Sequence, residues 1–302
     1  MTEAVRVPAR PRPDSPRRVV LALAALEARR ILTHPAPAAG LLLSVFFARQ
    51  VLTAAPSWAG AAYMSLPVVV GPLLCGISLA AAAAFSRDRR ALSEEAPVRP
   101  GQRALARLLA GVPAVAAVAV LTGAGALWLR AAGGLDLGDE PGRTLHAHYT
   151  LPELLQPVPL AAFAVAFGAA AARLIRHRLA AAVAVFVVWF AVSPTSWMWN
   201  GPGLMAFSLI QTQPLVVPVG PATADAAGLP ASWLLSAPNE YQDFWGRVVV
   251  SPAMAAWHDV YLVGLTLLAA SVVLDGRARR TAGAAGLVLA VAGVTAQKLV
   301  QP

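Results

Sequence analysis

Residues 61–85 are twenty-five consecutive side chains without a charge. A stretch of that length and character has few places to go. A bilayer core about 30 Å thick is crossed by about 20 mostly apolar residues in helical form. Six other runs resemble it. They are Ala36 to Ala55, Leu105 to Leu129, Val158 to Ala172, the shorter Leu179 to Val192, Val260 to Leu274 and Thr281 to Val300. Within the third run the only charge is Arg107, near its start, and Lys298 sits at the tip of the last. Lipid supplies no hydrogen-bond partners, so a crossing segment is a helix or a strand of a closed barrel. Barrel strands alternate with period two over about ten residues. These runs are continuous and rich in Ala, Leu and Val, so the sequence predicts an all-α polytopic transmembrane bundle of six or seven spans.

Composition agrees. Hydrophobic residues make up 58% and charged residues 13%, against about 25% charged in a soluble domain. This excludes both a soluble globular chain and a disordered one. The single cysteine, Cys75, excludes an intramolecular disulfide framework and a Cys-rich metal site.

The net charge of +9 would suggest nucleic acid in a soluble protein. Here its distribution along the chain matters more, because Lys and Arg sort to the cytoplasmic side of a membrane. With the N-terminus placed inside, nineteen of the 24 basic residues fall inside: the N-terminal segment, the stretch between the second and third runs, and the turns at 173–178 and 277–280. Arg49, Arg130, Arg143, Arg247 and Lys298 fall outside, together with eight of the 15 acids. Trp58, Trp128, Trp197, Trp199 and Trp257 cluster at the expected outer ends, where amphipathic rings prefer the headgroup level. The expectation is a multi-pass plasma-membrane protein with a cytoplasmic N-terminus and no nucleic-acid partner.

Residues 1–14 read as a basic, disordered cytoplasmic tail. The apolar stretch after it, Val19 to Leu26, is short and runs into Glu27, Arg29 and Arg30, so no signal peptide is read there. Ser15 with Pro16 suits an N-cap and a first helical position, and His34-Pro35 stops the helix. A helix over 15–34, too short and too charged to cross, is expected to lie in the interface. The transmembrane domain then occupies 35–302. Its outer loops fall at 131–156 and 193–257. The apolar pieces Leu204 to Ile210 and Leu215 to Val219 are candidates for re-entrant or interface-lying helices.

Several constellations touch on chemistry. A phosphate loop needs a Lys in its Gly-rich turn, and the chain's one Lys is Lys298; ATP hydrolysis by that route is not expected here, nor is any other enzyme activity. Glu94-Glu95-Ala96-Pro97-Val98-Arg99 matches the Glu-Glu-x-x-x-Arg string of intramembrane prenyl-protease-like enzymes, but it lies in an Arg-rich loop with Pro97 breaking the helix. Gly76-Ile77-Ser78 is similar to an intramembrane serine-protease element, yet Leu79 stands where a second Gly is needed. A small Ser packing between helices is the stronger reading. His146 and His148 would share a face only on a strand, so a solvated loop is preferred to a metal site. His258-Asp259 reads as interfacial at the start of its helix, and Arg49 as a side chain snorkelling to the outer headgroups. No metal or cofactor is expected.

The order of parts resembles the membrane (permease) subunit of an ATP-binding-cassette (ABC) transporter of the type-2 class. Leu26-Glu27-Ala28-Arg29-Arg30-Ile31-Leu32-Thr33-His34-Pro35 looks like that family's interfacial elbow helix, with Glu27, Arg29 and Arg30 as its charged residues. Phe85-Ser86-Arg87-Asp88-Arg89-Arg90, then Glu94-Glu95, a Pro-rich turn and Gln102-Arg103-Ala104, is similar to its cytoplasmic coupling helix. Ala256-Trp257-His258-Asp259-Val260-Tyr261-Leu262-Val263-Gly264-Leu265 resembles the segment entering the family's later span. The resemblance implies a translocation path formed by this chain and a homodimer or pseudo-dimer of membrane subunits. It also implies a separate ABC ATPase docking on the coupling loop at 86–104, through Arg87, Asp88, Arg89, Arg90, Glu94, Glu95 and Arg99. The family commonly has six spans; seven runs are counted here. The alternative from another class is a non-transporting integral membrane binding or regulatory protein that works through its outer 193–257 region.

Overall fold

The computed structural model describes residues 16–53, 66–87, 100–134, 148–198, 204–211, 215–218, 234–235 and 246–300. The helices are α1 Pro16–Leu32, α2 Pro35–Thr53, α3 Leu66–Arg87, α4 Pro100–Leu109, α5 Val112–Ala131, α6 Leu151–Leu155, α7 Pro157–Leu174, α8 Arg178–Met198, α9 Pro252–Val273 and α10 Gly276–Leu299. A 3₁₀ turn spans Met205–Phe207. Strands β1 Leu215–Pro218, β2 Leu234–Leu235 and β3 Gly246–Val250 form a small antiparallel sheet in the order β1-β3-β2. The fold is an all-helical bundle with this sheet as an appendage.

Each apolar run is helical where it is described, apart from Ala110-Gly111 and the run ends at Leu274 and Val300. Five stretches are long and apolar enough to cross a membrane alone: 69–87, 100–131, 151–174, 252–273 and 276–299. The α1–α2 pair makes a sixth if its 50° bend counts as one broken span. Over Arg178–Ala191, α8 is a shorter apolar helix.

Helices α3 and α7 form the centre. On α7, Leu160, Ala161, Phe163–Ala166 and Gly168–Ala172 are all buried. Against it lies the run Ala80–Ala84 of α3, also wholly buried. Side chains this small let two backbones approach closely, which is how helices gain contact in lipid. Gly168 marks the closest point, where a Cβ would run into the Ser78 carbonyl. Gly76, two residues before Ser78, meets the backbone of Ala36 and Pro37 on α2 in the same way. The Gly76-Ile77-Ser78 string is therefore a packing element. The Ser78 hydroxyl donates to the Ala164 carbonyl (2.7 Å) and accepts from Trp189 Nε1 (2.8 Å), tying α3, α7 and α8 together at one buried atom. Phe163 meets Trp189 edge-on, with ring centroids 6.5 Å apart.

The helices alternate in direction. His34 lies near Arg87 and Arg178, and Phe85, Pro100, Arg173 and Asp275 surround one small cavity. The start of α2, the end of α3, the ends of α7 and α9 and the starts of α4, α8 and α10 therefore share one end of the bundle. Of the seventeen described Lys and Arg, thirteen belong to that end; Arg49, Arg130, Arg247 and Lys298 belong to the other. Apolar side chains on the outside, such as Leu42, Val120, Phe190 and Val288, suit a surface bathed in lipid.

Four local expectations change. The 105–129 run is two helices, α4 and α5, broken at Ala110-Gly111. Gly111 sits there because a side chain would meet Val165 Cγ1 at 2.5 Å, and Pro113 opens α5. The last-but-one helix starts at Pro252, eight residues before the apolar run, because Ser251 caps it by accepting from Met254 N. Residues 204–211 are a 3₁₀ turn flanked by turn and bend backbone, and 215–218 is a strand; neither is the longer helix expected there. Residues 1–15 and 88–99, which hold the expected tail and most of the coupling loop, lie outside the described residues, as does His146.

Candidate functional site

Helix α1 has a buried stripe at Val20, Ala24, Glu27, Ala28 and Ile31, and its other faces are exposed. The spacing of three and four places these side chains on one face. The apolar members pack on Ala80 and Ala84 of α3 and on Ala106 and Ala110 at the end of α4. An acid in the middle of such a stripe is costly unless it is paired.

Glu27 is paired three times over. Its Oε1 accepts from Arg30 Nη1 at 3.0 Å and its Oε2 from Arg87 Nη2 at 3.1 Å. Arg107 Nε lies 3.8 Å from Oε1. The Glu27 side chain is 3% exposed and Arg107 8%, while Arg30 and Arg87 reach solvent at 50% and 37%. The guanidinium of Arg107 also stands 5.9 Å from the Phe85 ring centroid, within reach of a cation–π attraction. One carboxylate thus joins α1, the last described turn of α3 and α4, so that the described residues on both sides of 88–99 are held by the same side chain.

Of the residues singled out in the sequence, Glu27, Arg30 and Arg87 are brought together. Arg29 is exposed, and its carbonyl accepts from Thr33 N at 2.9 Å and Thr33 Oγ1 at 2.8 Å. Asp88, Arg89, Arg90, Glu94, Glu95 and Arg99 lie outside the described residues. Arg107 is the member that sequence reasoning missed. Its signal was an Arg one turn after Arg103, which sets a polar face on α4 where a continuous span was expected.

Next to this cluster is the joint between α1 and α2. His34 Nδ1 accepts from Ala36 N at 3.2 Å, so the neutral ring caps α2. Burial first, and then the positive charges of Arg87 and Arg178, push the His34 pKa below its ordinary 6.5.

A second polar group sits at the opposite end. His258, expected at the interface, is fully buried on α9, with Nε2 3.4 Å from the Leu209 carbonyl. Tyr261 OH donates to the Phe207 carbonyl (3.1 Å), and Gln211 Nε2 donates to Gln297 Oε1 (2.9 Å). Gln297 Nε2 in turn reaches the carbonyls of Gly293 (3.2 Å) and Ala206 (3.4 Å). Residues 204–211 are thus held on α9 and α10 by side-chain hydrogen bonds. Arg49 is exposed near the end of α2, in keeping with snorkelling. Among the described residues no three His, Cys, Asp or Glu side chains converge on a point that could hold a metal.

Compared with protein-family models, with curated proteins and with solved structures, the chain has no match. The fold defines the class by itself: a membrane protein built from several apolar helices, with a buried ion cluster at its basic end.

Proposed function

We propose that this chain is the membrane subunit of an ATP-driven transporter of the ABC type, coupled to a separate ATPase at its basic end. The observation that carries the reading is the Glu27 cluster. A partner that pushes on a loop moves helices only if the loop's ends are tied to something stiff. Arg87 precedes residues 88–99 and Arg107 follows them, and both meet the one buried carboxylate of α1. A push on the loop would therefore be delivered to α3, α4 and α1 together. The positive-inside rule places this end in the cytoplasm of a cell whose plasma membrane holds the chain. A second membrane subunit, most simply another copy, completes the path.

The test is whether a neighbouring reading frame encodes an ATPase with a phosphate loop, then co-purification with that ATPase and ATPase assays in liposomes. The expected result is a stable complex, weakened by Arg87→Glu and by Glu94→Lys, with ATPase activity that depends on this chain. Equal binding by wild type and both variants overturns the docking role. ATPase activity indifferent to this chain overturns transport.

A further inference from the structure

A cavity of about 370 Å³ lies between α2, α3 and α5, toward the end opposite the Glu27 cluster. Val45 and Ala48 form one wall, Val70 and Leu73 the back, Leu121 and Gly125 the other wall. Its volume falls in the range of small-molecule sites, about 300–1,000 Å³, and leaves room for one apolar chain. The Ser44 hydroxyl on its surface already accepts from Leu73 N at 3.3 Å. Walls that are themselves partly exposed, Val45 at 60% and Leu121 at 46%, open the cavity sideways, where the bilayer's hydrocarbon lies.

The mouth differs from the interior. Trp128 and Tyr149 line it, at the level that such rings prefer. Arg49 and Arg130 are exposed and follow the lining residues Ala48 and Leu129 in the chain, about 100° further round their helices, and side chains of this length snorkel toward the headgroups. The acid described beside the mouth, Glu153, is buried, and its Oε2 accepts from Thr150 N at 2.7 Å and Thr150 Oγ1 at 2.6 Å. The exposed charges next in the chain to the lining residues, Arg49 and Arg130, are therefore both positive.

We propose that this cavity binds the acyl chain of a single-chain anionic amphiphile, with the headgroup held at the mouth by Arg49 and Arg130. An apolar slot with an arginine one residue from its lining on each of α2 and α5 suits that chemistry at both ends of the ligand. Binding does not depend on the transporter reading, and no ATPase is needed to observe it.

Two glycines of α5 provide the test. Gly125 faces the cavity, Gly123 does not, and a Cβ at either meets nothing within 4 Å. A larger side chain at 125 fills the slot without straining the bundle, and one at 123 is the control. The full chain in phosphatidylcholine nanodiscs is photolysed with palmitate carrying a mid-chain diazirine, and cross-links are mapped by mass spectrometry. Labelling is expected to concentrate on residues 41–51 and 118–129 and to saturate. Gly125→Leu lowers it about tenfold, and Gly123→Leu leaves it unchanged. Arg49→Gln with Arg130→Gln weakens binding by about fivefold. Val45→Phe fills the slot from the facing wall and gives the same loss if Gly125→Leu does not fold. Labelling spread evenly over lipid-facing helices, or unmoved by both filling variants, overturns the site. Competition by two-chain phosphatidylglycerol as strong as by free palmitate overturns the single-chain assignment.

Discussion

Glu27 and Arg87 are 60 residues apart in the chain and share a bond that neither neighbourhood announces. What the sequence displays is an acid between apolar positions of α1, and that is a puzzle more than a prediction. The answer arrives from α3 and α4. Glu27→Gln is expected to cost about 3 kcal/mol, toward the low end for breaking a buried pair because Arg30 and Arg87 reach solvent. The fall in melting temperature in detergent measures it. Adding Arg107→Leu to that variant should recover part of the loss, since the deepest cation is then gone; a further drop would show that Arg107 is stabilised mainly by Phe85. Ser78 makes a second case. Ser78→Ala deletes two hydrogen bonds and strands the Trp189 N–H, for an expected loss of about 1–2 kcal/mol. The same melting assay, with Trp fluorescence reporting the indole's new surroundings, checks it.

At the scale of elements, helix positions were legible because lipid leaves a helix only one way to look. Boundaries were legible where a cap or a proline stood at them, as at Pro16 and Pro35. They failed where tertiary partners took over. His258-Asp259 reads as interfacial at the start of its helix, yet His258 is buried where Leu209 brings it a carbonyl. Residues 204–211 looked helical by their apolarity, but their backbone is tied down by Tyr261, Gln297 and His258. Nothing in a local window shows those acceptors. The hinge between α1 and α2 makes a prediction that belongs at this scale. The neutral His34 ring accepts Ala36 N–H, and its folded pKa is depressed. The unfolded chain therefore binds a proton at His34 more readily than the folded one, and the cap's contribution to stability grows as pH rises. Its contribution is complete above the ordinary value of 6.5 and declines as pH falls through that value toward the depressed one. His34→Asn should flatten the dependence of melting temperature on pH between about 7.5 and 5. A variant with the same slope as wild type refutes the capping role.

For the whole molecule, the gathering of basic side chains at one end predicts an orientation that labelling can read. Cys75 is the one native thiol, so Cys75→Ala gives a clean background. A cysteine at Arg277 should be shielded from an impermeant maleimide in intact cells, and one at Arg130 should react. The reverse result inverts the topology. The pair of buried glutamines has a consequence for time as well as for shape. Until Ala206 and Gln211 are in place, the protein partner of the Gln297 amide is the Gly293 carbonyl of its own helix. Those two residues lie earlier in the chain, so synthesis delivers them before α10 exists. Assembly is thereby ordered: residues 204–211 are laid down first, and α10 then docks against them through Gln297.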